Sequence, residues 1–208
     1  MKIIKDKAAS LYREIPYTFF KQPEETNYLT IILPGAGYTT QAPLLHFTTG
    51  IFWNKGHDVL HVNYQYSQEE MSALEKDEFT ADVLSVIELI LDNHDYSHLT
   101  IVAKSIGTVA MTYLLEYPRF KTAKTIWLTP LLQRNHVYEA LLKCDHEGIV
   151  IIGNEDPCFI EERFEEIKKN QNLTLHLVEG ANHSLELKNN IIGSIDVLKD
   201  IMKVIDDF

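Results

Sequence analysis

Ile101-Val102-Ala103-Lys104-Ser105-Ile106-Gly107-Thr108 passes from an apolar, β-branched stretch through a group of small residues and straight into a helical pattern. The strand signal spans Leu99 to Ala103, and the helical one runs from Ile106 to Glu116, ended by Pro118, which cannot continue a helix. Ala103 and Gly107 stand two positions either side of Ser105, where a sharp strand-to-helix turn needs small residues because the two backbones pack closely. Ser105 itself keeps two readings at this point. It is either an N-cap that accepts the first amide of the helix, or a hydroxyl presented at the end of a strand for chemistry.

Working outward, the same alternation repeats. Upstream, Tyr28 to Leu33 is a continuous apolar run broken by Pro34-Gly35-Ala36-Gly37, followed by a helical pattern over Leu44 to Lys55, a strand over Val59 to Val62 and a helix from about Lys76 to Leu91. Downstream come strand Thr125 to Leu128, strand Ile149 to Ile152, a helix through Phe159 to Lys169, strand Leu173 to Val178 and a terminal helix over Ile191 to Ile205. Met1 to Pro23 is rich in aromatic and β-branched residues and reads as an antiparallel edge. Continuous apolar strands separated by helices predict an α/β fold with a mostly parallel central sheet and helices on both faces. With no repeat, linker or compositional break, residues 1–208 are expected to form a single domain. Ligands in such sheets bind beyond the carboxyl ends of the strands, so the chemistry is expected in the loops that follow them.

Composition narrows the partners. The 30 Asp and Glu outweigh the 19 Lys and Arg, a formal charge of −11, and no basic patch offsets it, so nucleic acid is an unsuitable partner. Cys144 and Cys158 are too few for a disulfide framework and lack the spacing of a zinc site, which points to a reduced, cytoplasmic setting. No stretch approaches the ~20 apolar residues of a membrane span and the N-terminus lacks a signal-peptide core, so neither integral membrane association nor classical export is expected.

Three further loops complete the chemical signal. The glycines of Pro34-Gly35-Ala36-Gly37-Tyr38 let backbone amides point inward without a Cβ in the way. The N-terminal end of the helix after Ser105 aims the N–H of Ile106 at the same region. Ile149 to Ile152 releases into Gly153-Asn154-Glu155-Asp156-Pro157, where Glu155 or Asp156 can serve as an acid and Asp156 can alternatively only shape a turn. Leu173 to Val178 ends in Glu179-Gly180-Ala181-Asn182-His183, which sets one of the nine histidines in the loop after the last strand. A serine at a turn, a later acid and a final histidine, in that order, is a combination suited to nucleophilic acyl transfer.

On these residues the chain from Tyr28 to Phe208 resembles the α/β-hydrolase superfamily, in particular its compact dienelactone-hydrolase-like and small esterase branches. The resemblance places the family's elbow serine on Ser105, its acid on Asp156 rather than Glu155, and its histidine on His183. It assigns the oxyanion hole to the backbone of Ile106 and of Ala36 or Gly37, in a loop where Pro34 replaces a more usual histidine. It implies a serine esterase acting on a small-molecule acyl substrate, with no metal or organic cofactor. Thioesterase and peptidase activities share the same triad, and a non-catalytic binding module on the same fold is a rival of another class. The segment from about 129 to 147 is the only one long enough to act as a cap. Its Leu131, Leu132, His136 and Tyr138, with Tyr38, His46 and Phe159, are candidates to line an acyl pocket, an amphipathic connecting helix being the alternative.

Overall fold

The computed structural model describes residues 2–11, 13–66, 70 and 76–208. Met1 and Tyr12, both within the N-terminal stretch expected to be strand-like, lie outside the described residues. Eight strands form one sheet: β1 (Lys2–Ala9), β2 (Glu14–Lys21), β3 (Tyr28–Leu33), β4 (Asp58–Val62), β5 (His98–Lys104), β6 (Lys124–Leu128), β7 (Gly148–Gly153) and β8 (Leu173–Val178), in the spatial order β1-β2-β4-β3-β5-β6-β7-β8. β1 and β2 pair antiparallel with each other, and β2 pairs antiparallel with β4. Every pairing from β4 to β8 is parallel.

The helices of the described residues are α1 (Pro43–Asn54), α2 (Lys76–Leu91), α3 (Gly107–Leu114), α4 (Asn135–Leu142), α5 (Glu161–Ile167) and α6 (Ile191–Asp207). Period-two alternation along the strands sends side chains to two separate cores. In β3, Leu29, Ile31 and Leu33 join the larger core, formed with α2, α3, α4 and α5, while Ile32 joins the smaller one under α1 and α6. In β7, Val150 and Ile152 face the larger core and Ile149 and Ile151 the smaller. These strands are almost wholly apolar because both of their faces are covered, and the one buried hydroxyl of β3, on Thr30, is paired with His57 Nδ1 at 2.9 Å.

The segment after β6 contains α4, whose Val137 and Leu141 are fully buried in the larger core. Leu131 and Leu132 are buried there too, and His136 stacks on Tyr113 of α3.

Strand order places the site. From β3 the chain moves through α1 to β4 on one side, then returns through α2 to β5 on the other. The carboxyl ends of β3 and β5 are therefore the point where the winding reverses, and the loops on either side of it diverge to leave a crevice.

Candidate active site

Leaving β5, the backbone turns sharply at Ser105, whose φ of 53° is a left-handed value that a residue with a side chain rarely adopts. The turn is held from both sides. Ser105 N–H donates to Leu128 O at 3.0 Å, and Ser105 O accepts from Thr108 N–H at 2.9 Å. Gly107 follows because a Cβ there would lie 2.5 Å from Leu33 O, so only glycine lets α3 start against the end of β3. Ala103 fits fully buried at the other small position. The N-cap of α3 is Ile106 and receives no side-chain cap, so the Ser105 hydroxyl is not spent as a helix cap.

That hydroxyl meets His183 instead, with Ser105 Oγ and His183 Nε2 2.8 Å apart. On the other side of the ring, Nδ1 lies 2.9 and 2.8 Å from the two carboxylate oxygens of Asp156. A carboxylate can only accept, so Nδ1 carries the proton and Nε2 is left as the acceptor for the serine hydroxyl. Asp156 is 3% exposed and also accepts from Cys158 N–H at 2.8 Å through Oδ1. The turn-shaping and histidine-orienting readings of this aspartate thus hold together, while Glu155 is exposed.

Two loops must touch for the carboxylate to reach the ring. Gly153 makes this possible, since a Cβ there would lie 1.9 Å from Ala181 O. Glu155 N–H donates to Ala181 O at 3.1 Å, and Asn154 Oδ1 accepts from Gly180 N–H at 2.7 Å. The loop after β8 is closed on itself by Asn182, whose Oδ1 accepts from Ser184 N–H at 2.8 Å.

Beside Ser105, Gly35 to Tyr38 form a tight turn in which Gly35 and Tyr38 exchange both backbone hydrogen bonds, at 3.1 and 3.3 Å. Gly37 has φ 72°, as the third position of a type II turn requires. A Cβ on Gly35 would lie 3.3 Å from Ser105 Cβ, so the turn is packed directly on the serine. With the Gly35 and Tyr38 amides engaged in the turn, those of Ala36, Gly37 and Ile106 have no acceptor among the described residues.

A cleft of about 620 Å³ opens next to this turn, lined by Pro34 to Gly37 and Thr40 of the loop after β3, by Ile106, and by Thr18, Asn63, Tyr64 and Tyr66 from the β2 and β4 side. Tyr38, His46, Leu131, Leu132, His136, Tyr138 and Phe159, the expected pocket lining, are not among its walls, and His46 is exposed on α1. The far side of the cleft was missed because Thr18, Asn63, Tyr64 and Tyr66 come from strand ends that no motif marks. Apolar periodicity reports that β4 is a strand but not that it sits beside β3.

Cys158 brings its sulfur within 4.8 Å of donor atoms of Asp156 and His183, a set that could hold a metal ion only by breaking the imidazole–carboxylate hydrogen bond. Burial pushes the Cys158 thiol up, away from the thiolate that a nucleophile or ligand needs.

Residues 27–208 match the family described as "Alpha/beta hydrolase domain". The chain belongs to this alpha/beta hydrolase family. Solved structures share the fold across the whole length at low identity. An alpha/beta serine hydrolase without lid from Xanthomonas campestris is 12% identical, with a TM-score of 0.74, 100% of this chain and 93% of that one being covered. Est1E from Butyrivibrio proteoclasticus is 12% identical with a TM-score of 0.76, covering 98% and 96%. The Pyrococcus furiosus esterase Pf2001 is 11% identical with a TM-score of 0.74, covering 100% and 93%. No protein curated for function matches the chain significantly. Among the described residues of this alpha/beta hydrolase, no helix is long and apolar enough to cross a membrane.

Proposed function

We propose that this alpha/beta hydrolase is a serine esterase that cleaves an ester-type acyl bond of a small molecule. The observation that carries the reading is the continuous hydrogen-bonded chain Ser105–His183–Asp156, with its serine held at a left-handed φ. Strain of this kind at a polar residue is maintained only where the surrounding structure over-determines it.

In the proposed reaction Ser105 Oγ attacks the acyl carbonyl while His183 Nε2 takes its proton. Asp156 fixes the ring tautomer and stabilises the imidazolium that forms. Negative charge developing on the carbonyl oxygen is met by the N–H of Ile106 at the start of α3 and by that of Ala36 or Gly37 across the turn. The imidazolium then protonates the leaving alcohol, and water activated by the same ring releases the acid and regenerates the serine. The cleft beside Gly35 to Gly37 is large enough for a small acyl or alcohol group. Two buried free cysteines and the acidic charge fit a cytoplasmic enzyme whose partner is a small acyl compound rather than a nucleic acid.

Labelling with a fluorophosphonate, followed by mass spectrometry of the modified peptide, tests this. The expected result is an adduct on Ser105 in the native chain and none in Ser105→Ala. A folded wild-type protein that takes no label sinks the proposal in favour of a binding module.

A further inference from the structure

Lys104 is the residue just before the serine and is 1% exposed. A lysine so deep must find partners for its ammonium group or lose its proton. Its Nζ donates to Thr129 Oγ1 at 2.8 Å and to the backbone carbonyl of His183 at 2.7 Å, with the Tyr38 ring centroid 4.6 Å away. The three partners come from the loops after β6, β8 and β3. Thr129 is fully buried with φ 45°, and its own N–H is tied to Ile151 O at 2.7 Å, so it is a fixed anchor.

We propose that Lys104 is a positioning residue: its ammonium group clamps the His183 carbonyl and Thr129 to the turn that carries Ser105, and so holds the imidazole against the serine hydroxyl. This rests on the reading of Ser105, Asp156 and His183 as the catalytic triad. Nothing in the proposed acyl transfer needs a cation at this point. The lysine touches the main chain of His183 and not its ring.

Charge strengthens the clamp. A neutral amine keeps two N–H groups for the two oxygens but gives up the charge assistance and the attraction to the Tyr38 ring. Burial lowers Lys104 to about 8, opposed by the negative field of Asp156, Cys158 and Glu186. Of the groups around it, Asp156 and His183 form the triad, Glu186 lies exposed at the rim of the His183 loop, and burial pushes Cys158 and Tyr38 upward. Raising the pH through about 8 therefore discharges Lys104 before either of those two, and the rate is expected to fall on the alkaline side.

The test is the rate of Ser105 labelling by a fluorophosphonate between about pH 6 and 9, in wild type and in Lys104→Met, which matches the stem and removes the donors. The wild-type rate should fall as pH rises through about 8, in step with one lysine ¹³Cε resonance. The variant should label on the order of tenfold more slowly at neutral pH, since small misplacements of reacting groups have effects of that size or larger, and should lack the alkaline fall. A wild-type rate that stays level to pH 9, or that falls without a titrating lysine, overturns the proposal even where Lys104→Met does not fold. A folded variant with wild-type rate and profile overturns it as well. Absence of label on wild type at pH 7 refutes the triad reading instead, which keeps the two failures apart.

Discussion

Asp82 and Asp156 are both buried beside a cationic side chain, and their partners differ. Asp82, on α2, is fully buried, accepts from Ser10 Oγ and from Tyr66 OH at 2.7 Å, and forms an ion pair with Arg13 across 3.4 Å. Asp156 is almost as deep but meets a histidine ring, a backbone amide and the field of Lys104. Around Asp82 the Ser10 and Tyr66 hydroxyls each spend their one O–H on the carboxylate, Arg13 is held by Glu70 and Glu78 as well, and the cluster pins the β1–β2 connection onto α2. Around Asp156 the partner is an imidazole whose second nitrogen faces the Ser105 hydroxyl, on a backbone that is left-handed at Ser105, Thr129 and Leu185. Burial of a carboxylate does not mark a site by itself. The mark is a titratable partner that passes the interaction on, together with strained backbone.

The sharpest way to break the comparison is to remove the serine. Ser105→Ala should lose hydrolytic turnover by a factor of about 10⁶, with thermal stability nearly unchanged because no helix cap is lost. Hydrolysis rates and melting of the two proteins measured side by side decide it. Asp156→Asn comes next. It keeps the shape but allows the wrong imidazole tautomer, so kcat should drop about 10⁴-fold while substrate binding persists. A variant whose kcat stays within a factor of ten would mean that Asp156 is no more important to the ring than Asp82.

The matching change at the other cluster should do the reverse. Asp82→Asn weakens the hold on Ser10, Tyr66 and Arg13, which is expected to cost about 3 kcal/mol of stability in urea unfolding. Its rate of Ser105 labelling, measured on folded protein, should stay within about twofold. A large loss of labelling with stability intact would show that the N-terminal cluster belongs to the site.

The smallest effect concerns a buried base that is not catalytic. His61 is 1% exposed, and its Nε2 donates to Thr49 Oγ1 at 2.7 Å, because that hydroxyl is itself committed to Leu45 O. Its Nδ1 is buried without a hydrogen-bond partner, so a proton added there would have no acceptor. Burial pushes His61 down to about 4, and does the same to His57. Below the ordinary value near 6.5 the unfolded chain binds protons that the folded chain refuses, so stability is lost as pH falls from about 7 towards 4. The loss attributable to His61 should reach about 2 kcal/mol at pH 5. Denaturant midpoints at pH 7 and pH 5, in wild type and in His61→Gln, measure it. An equal drop in both proteins would take His61 out of the account.

Much of this was legible in the chain before folding is considered. The alternation of apolar strands and helices, the antiparallel start and the small residues around Ser105 are local signals, set by side-chain period and by steric needs within a few residues. The expected helices agree with those found to within a few residues, Lys76–Leu91 and the start of the last helix at Ile191 among them. Ser105, Asp156 and His183 could be nominated because each follows a strand, and strand ends in a parallel sheet share one edge.

The sequence by itself thus determined the fold class and nominated Ser105, His183 and one of two neighbouring carboxylates, the family resemblance choosing Asp156 over Glu155. Only the tertiary structure decided which strands are neighbours. That placed the cleft between the β3 turn and the end of β4 rather than under residues 129–147, whose α4 packs into the larger core. It also turned Lys104, indistinguishable in the sequence from a surface lysine, into a buried link between three loops. The reason is physical: periodicity and turn chemistry act within a few residues. The partners of Lys104 lie 25 and 79 positions away, and are brought within hydrogen-bond distance only by the order of strands in the sheet.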